Sequence, residues 1–118
     1  MPSETPRQVV GKVLSEVGVP VTWDAWPTGK APPLPWIAFS YMRGGEVYAD
    51  NENYAELCKF KVGLYYKEYD PELETAFKSA LARLGTYRRY DDVYLSSEHC
   101  YLADYEIIYQ PNREKGRP

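Results

Sequence analysis

The stretch Leu57 to Tyr66 constrains the fold of this chain more than any other. Cys58, Phe60, Val62, Leu64 and Tyr66 alternate with Lys59, Lys61 and Gly63. Period-two alternation predicts a strand with one buried face and one wetter face. A helix signal follows at once. Asp70 is a capping residue, and Pro71 fits the first helical position, where a missing N–H costs nothing. Leu73, Ala76, Phe77, Ala80, Leu81 and Leu84 recur at helical spacing and form one apolar stripe. Gly85 is expected to end the helix as a residue able to take positive φ.

The other elements cover this unit. Thr5, Pro6 and Gln8 resemble a capping box opening a helix to Val17, with Val9, Val10, Val13, Leu14 and Val17 as its stripe and Gly18 as its stop. Val19 to Trp23 reads as a brief strand. Asp24 to Pro35 carries four prolines and reads as a stiff surface loop. Trp36 to Met42 is a strand, Glu46 to Ala49 a short extension or strand, and Asp50 to Asn53 a hairpin tip. Thr86 to Leu95 reads as one charged edge strand. Ser96 to His99 is a turn, and Cys100 to Tyr109 is the last strand.

This order predicts a single α+β domain over residues 1–110, with residues 111–118 as a flexible C-terminal tail. The expected sheet is antiparallel (mixed), of about four to five strands, with two helices packed on one face. Lys59 and Lys61 on one outward face, and Asp104 and Glu106 on another, predict that their strands are neighbours or that the charges meet across subunits. Each opposed pair would add a few tenths to about 1 kcal/mol.

Composition narrows the function. The 118 residues carry a formal net charge of −3, which argues against a binder of nucleic-acid backbones. No apolar run is long enough to span a bilayer, and the polar start, Met1 to Arg7, is unlike a signal peptide, so a cytosolic chain is expected. Twelve tyrosines, each with an apolar ring and a wet hydroxyl, lean toward sheet faces and protein interfaces.

No cluster reads as an active site. Adjacent on a strand, His99 and Cys100 would point to opposite faces and would not pair as base and nucleophile. Two cysteines and one histidine are too few for a zinc site. Asp91-Asp92 and Asp50 to Glu52 lack EF-hand spacing and read as solvated charge. Arg43-Gly44-Gly45-Glu46 has neither P-loop nor dinucleotide spacing. Arg88 and Arg89, between Tyr87 and Tyr90, form a basic patch that Asp91 and Asp92 would largely cancel. Trp26 and Trp36 flank the proline loop and either cover the sheet edge or meet a partner. Neither catalytic residues nor a cofactor nor a metal are expected.

One resemblance adds to this reading. Ala31-Pro32-Pro33-Leu34-Pro35-Trp36-Ile37 leads into a strand, and the turn Tyr48-Ala49-Asp50-Asn51 follows. Then come Val62-Gly63-Leu64-Tyr65, the helix opening Lys67-Glu68-Tyr69-Asp70-Pro71-Glu72-Leu73-Glu74, and the tyrosine-rich end Tyr101 to Tyr109. In that order, from about Val9 to Tyr109, these features resemble small proteins of tailed phages and prophages, the tail terminators and head–tail joining or tail completion proteins. The resemblance implies a structural virion-assembly protein and no enzyme. It would form a homo-oligomeric ring, a hexamer, at the head-proximal end of the tail tube, stopping tube growth and receiving the head. Implied partners are further copies, the tail tube protein and head–tail connector proteins, with no membrane. DNA would only pass through an acidic lumen. The implied location is the host cytoplasm during assembly and then the tail or neck of the virion. Trp26, Pro32, Pro33, Trp36, Glu46, Tyr48, Asp50, Arg88 and Arg89 are the candidate contacts. The alternatives are another connector or head-completion protein, a small metal-dependent enzyme using Asp91, Asp92, His99 or Cys100, and a nucleic-acid binder through Arg88 and Arg89.

Overall fold

The computed structural model describes residues 5–42, 58–90 and 92–109. Along the chain these are α1 (Pro6–Ser15), β1 (Val21–Trp23), β2 (Trp36–Tyr41), β3 (Cys58–Tyr66), α2 (Pro71–Leu84), β4 (Gly85–Arg89), β5 (Val93–Leu95) and β6 (Cys100–Tyr109). The expected Glu46 to Ala49 strand, the Asp50 to Asn53 tip and the 111–118 tail lie outside the described residues.

The sheet has six strands, more than the four to five expected, in the order β1-β2-β3-β6-β4, with β5 also on β6. It is mixed: β1 runs parallel to β2, and the remaining pairs are antiparallel. Both helices pack on one face, where a single core joins Val10, Val13 and Leu14 of α1 and Phe77, Ala80, Leu81 and Leu84 of α2 to Ile37, Phe39, Phe60, Val62, Leu64, Tyr105 and Ile107. Burying each large apolar side chain contributes about 1.5–3 kcal/mol. Gly11 sets how close α1 can lie, because a Cβ there would sit 3.2 Å from the Phe39 ring.

The helix starts follow their sequence signals. Thr5 caps α1 in a complete capping box with Gln8. The Asp70 carboxylate accepts from the backbone N–H of Glu72 at 3.1 Å and of Leu73 at 3.2 Å. Asp70→Ala is expected to cost about 1 kcal/mol, seen as a lower urea midpoint with an unchanged m-value. An unmoved midpoint would refute the cap's role.

Two local expectations are corrected. Gly85 has φ 162°, which is extended backbone, so it opens β4 instead of turning left-handed. The expected Thr86 to Leu95 strand is two strands. Arg89 pairs with Tyr105 and Val93 with Leu102, so three residues of one strand face two of the other. This register exchanges the faces between β4 and β5. Tyr87 therefore points to the core beside Tyr105, whereas Val93 shares the opposite face with Leu102.

The strands bearing Lys59, Lys61, Asp104 and Glu106 are neighbours, as their charges predict. The register sets Lys61 directly opposite Glu106, and leaves Asp104 opposite Gly63 and Lys59 opposite Ile108.

Candidate functional site

The sheet face away from the helices carries the site. Alternation places Trp36, Ala38 and Ser40 of β2, Lys61, Gly63 and Tyr65 of β3, and Cys100, Leu102, Asp104 and Glu106 of β6 on this face. They floor a trough made of three connected hollows of about 490, 180 and 460 Å³, joined through shared walls at Tyr65 and then at Lys61 and Asp104. The trough follows the strands.

One end is aromatic. The proline loop arches over it, bringing Trp26, Pro32 and Leu34 against Trp36 and Tyr65. Trp26 meets Trp36 edge to face at 5.7 Å and 84°, and Trp36 stacks on Tyr65 at 4.3 Å and 26°. Such pairs add about 0.5–1.5 kcal/mol beyond the area they bury. The Trp26 indole N–H is buried and has no hydrogen-bond acceptor. Cys100 closes the floor at 2% exposure. Burial, and next the nearby Glu98 carboxylate, push its thiol above the ordinary range, which disfavours the thiolate that a nucleophile needs.

The other end is polar. Glu106 is buried and accepts a hydrogen bond from the Tyr90 hydroxyl. Burial raises the Asp104 carboxyl pKa, and the Lys61 ammonium partly offsets that. Among the described residues the charged walls are Asp24, Glu98, Asp104, Glu106 and Lys61, and Arg88 stands on the same face opposite Glu106.

The candidate contacts separate. Trp26, Pro32 and Trp36 meet at the aromatic end, while Pro33 is exposed on the loop and does not line it. Arg88 and Arg89 do not form one basic patch, because neighbours on a strand point to opposite faces. Arg88 lies opposite Glu106 on the trough face, with its guanidinium 5.8 Å from the Tyr90 ring. Arg89 turns to the helix side and pairs with Asp92 at 2.9 Å. Glu46, Tyr48, Asp50 and Asp91 lie outside the described residues. His99 sits in the turn before β6 with φ 55°. Tyr65, Leu34, Glu98 and Glu106 are site residues that the sequence reading left out. The signal for Tyr65 was an aromatic ring on the lysine-bearing face of a strand.

Asp92 also accepts from the Tyr66 hydroxyl at 3.0 Å. Burial, then the bond to Asp92 and its negative charge, push the Tyr66 pKa up to about 12. Tyr66 therefore holds its proton more tightly folded than unfolded. Its contribution to stability is complete below pH 10 and is lost as pH rises from 10 toward 12. Tyrosine-resolved NMR titration is expected to show Tyr66 ionising late, and Asp92→Asn should bring it back toward 10. An unshifted titration in the variant would show that Asp92 is not the cause.

Among the described residues there is no group of three or more metal-ligating side chains, and no helix is long and apolar enough to cross a membrane. No protein-family model, curated protein or solved structure matches the chain.

Proposed function

We propose that the protein is a structural assembly component, one subunit of a tail-terminator ring at the head-proximal end of a phage tail tube. The observation that carries this reading is the trough. Both helices use one face of the sheet for the core, and the other face is open, aromatic at one end and charged at the other. Burying aromatic surface that costs the core nothing is what a docking protein needs. Exposed Tyr69, Tyr94 and Tyr101 add contact area elsewhere. A ring forms when one patch of a subunit meets a different patch of the next and the rotation closes. The sheet offers unlike patches at the same end of β3 and β6. Trp36 and Tyr65 lie on one face, and the stacked rings of Tyr66 and Tyr101, 5.5 Å apart, lie on the other.

Native mass spectrometry over a concentration series, with negative-stain imaging, is the test. A closed ring, six-fold in the expected case, supports the reading. A monomer at every concentration, with and without tail tubes, rejects it.

A further inference from the structure

From the trough we infer that the open sheet face binds an extended, proline-containing segment of another protein, with a basic residue seated at Asp104. The inference rests on reading this face as a docking surface, and it names the chemistry of the occupant.

Length is the first argument. From Trp36 to Tyr41 the floor runs for one six-residue strand, about 20 Å at roughly 3.3 Å per residue. Six residues of polyproline II helix at about 3.1 Å each cover nearly the same distance. Shape is the second. Proline rings are flat, apolar and already ordered, so they lie on Trp36 and Tyr65 at little entropic cost. Hydrogen bonding is the third. Such a segment offers a carbonyl at every residue and few N–H groups. The unmet polar group at the aromatic end is a donor, Trp26 Nε1. Turning the Trp26 ring outward presents its N–H to a ligand carbonyl, a bond that no described residue supplies. A buried donor without a partner is destabilising, so this bond favours the bound form.

Charge fixes the direction. Among the described residues Asp24, Glu98, Asp104 and Glu106 line the trough with Lys61; Glu106 is flanked by Lys61 and Arg88, whereas Asp104 has Gly63 and no cation directly opposite it on β3. Asp104 lies in the middle of the trough, carrying a desolvation penalty that Lys61 relieves only in part. An arginine there supplies a fork of donors to the carboxylate. The prolines consequently lie under the loop and the basic residue lies at Asp104.

The probe is the peptide acetyl-Pro-Pro-Leu-Pro-Pro-Arg-amide, titrated into the full chain with tryptophan fluorescence and amide shift mapping as readouts. Saturable binding is expected, with shifts on β2, β3 and β6 and a change in Trp emission. Replacing the peptide's Arg by Glu, or its prolines by Gly and Ser, should weaken binding about tenfold, the size of one good polar or stacking contact. Trp36→Ala should weaken it similarly. Asp104→Asn, which leaves the aromatic end intact, should remove most of the preference for Arg over Glu. Equal binding of all three peptides, no saturation at millimolar peptide, or shifts confined to the helix side would overturn the inference. So would an emission change that follows protein concentration alone, since the occupant would then be a second copy. A ring without peptide binding defeats this inference only, and a peptide-binding monomer defeats the ring only.

Discussion

Replacing Phe77 by alanine is expected to destabilise the protein by about 3–5 kcal/mol, the usual loss when a core aromatic is truncated. Phe77 is fully buried in the middle of the α2 stripe, and its ring meets Tyr105 edge to face at 5.2 Å and 82°. Truncation removes the transfer free energy of the ring, opens a cavity between α2 and β6, and deletes the aromatic pair. Alanine is the better helix former, but by only about 0.5 kcal/mol, which offsets little. Domains of this size have about 5–15 kcal/mol in total. The variant should therefore melt far below the wild type or unfold partly at 37 °C. Urea denaturation followed by far-UV circular dichroism measures the loss. Phe77→Leu should keep most of the stability, because it leaves a smaller cavity. A loss below about 1 kcal/mol for the alanine variant would mean that α2 does not pack on β6 through this residue.

That prediction was within reach of the sequence, since the α2 stripe and its Asp70–Pro71 start are local signals. The same holds for the capping box at Thr5 and the alternation in β3, where each residue's neighbours along the chain decide its state. What was not legible depends on partners distant in the chain. β1 reads as a brief strand from its β-branched residues, but its parallel pairing with β2 is set by the sheet and not by its own three residues. The break between β4 and β5 comes from register on β6, which no period within residues 86–95 encodes. Gly85 was read from glycine's freedom, but the chain needed an extended residue there to enter β4 directly. The site shows the same division. Trp26 and Trp36 could be picked out as loop-flanking aromatics. Their contact with each other, and with Tyr65 across a strand, follows from the sheet. Arg88 and Arg89 were misjudged as one patch, although strand alternation alone separates them.

Gly63→Val is the change expected to alter fold and site together. Gly63 lies mid-strand on the trough face, and a Cβ there would stand 2.7 Å from Leu102 Cδ1 and 3.3 Å from the Tyr65 ring. Alanine is the milder case, because the Leu102 methyl ends a flexible side chain and can swing aside. Valine adds two further carbons beside Tyr65 and Leu102, both of which floor the trough. Overpacking of this kind costs about 1–3 kcal/mol. The strand preference of valine over glycine returns up to about 1 kcal/mol. The net change should therefore be destabilising by about 1–2 kcal/mol. The larger consequence is for binding. The valine side chain would stand in the middle hollow directly opposite Asp104, so a segment resting on Trp36 could no longer extend to that carboxylate. Peptide binding should weaken, and the preference for arginine should fall with it, while Gly63→Ala keeps both to a large degree. Urea midpoints for both variants, with the same peptide titration, separate the effects. A valine variant as stable as the wild type and unchanged in arginine preference would place the ligand path elsewhere on the sheet.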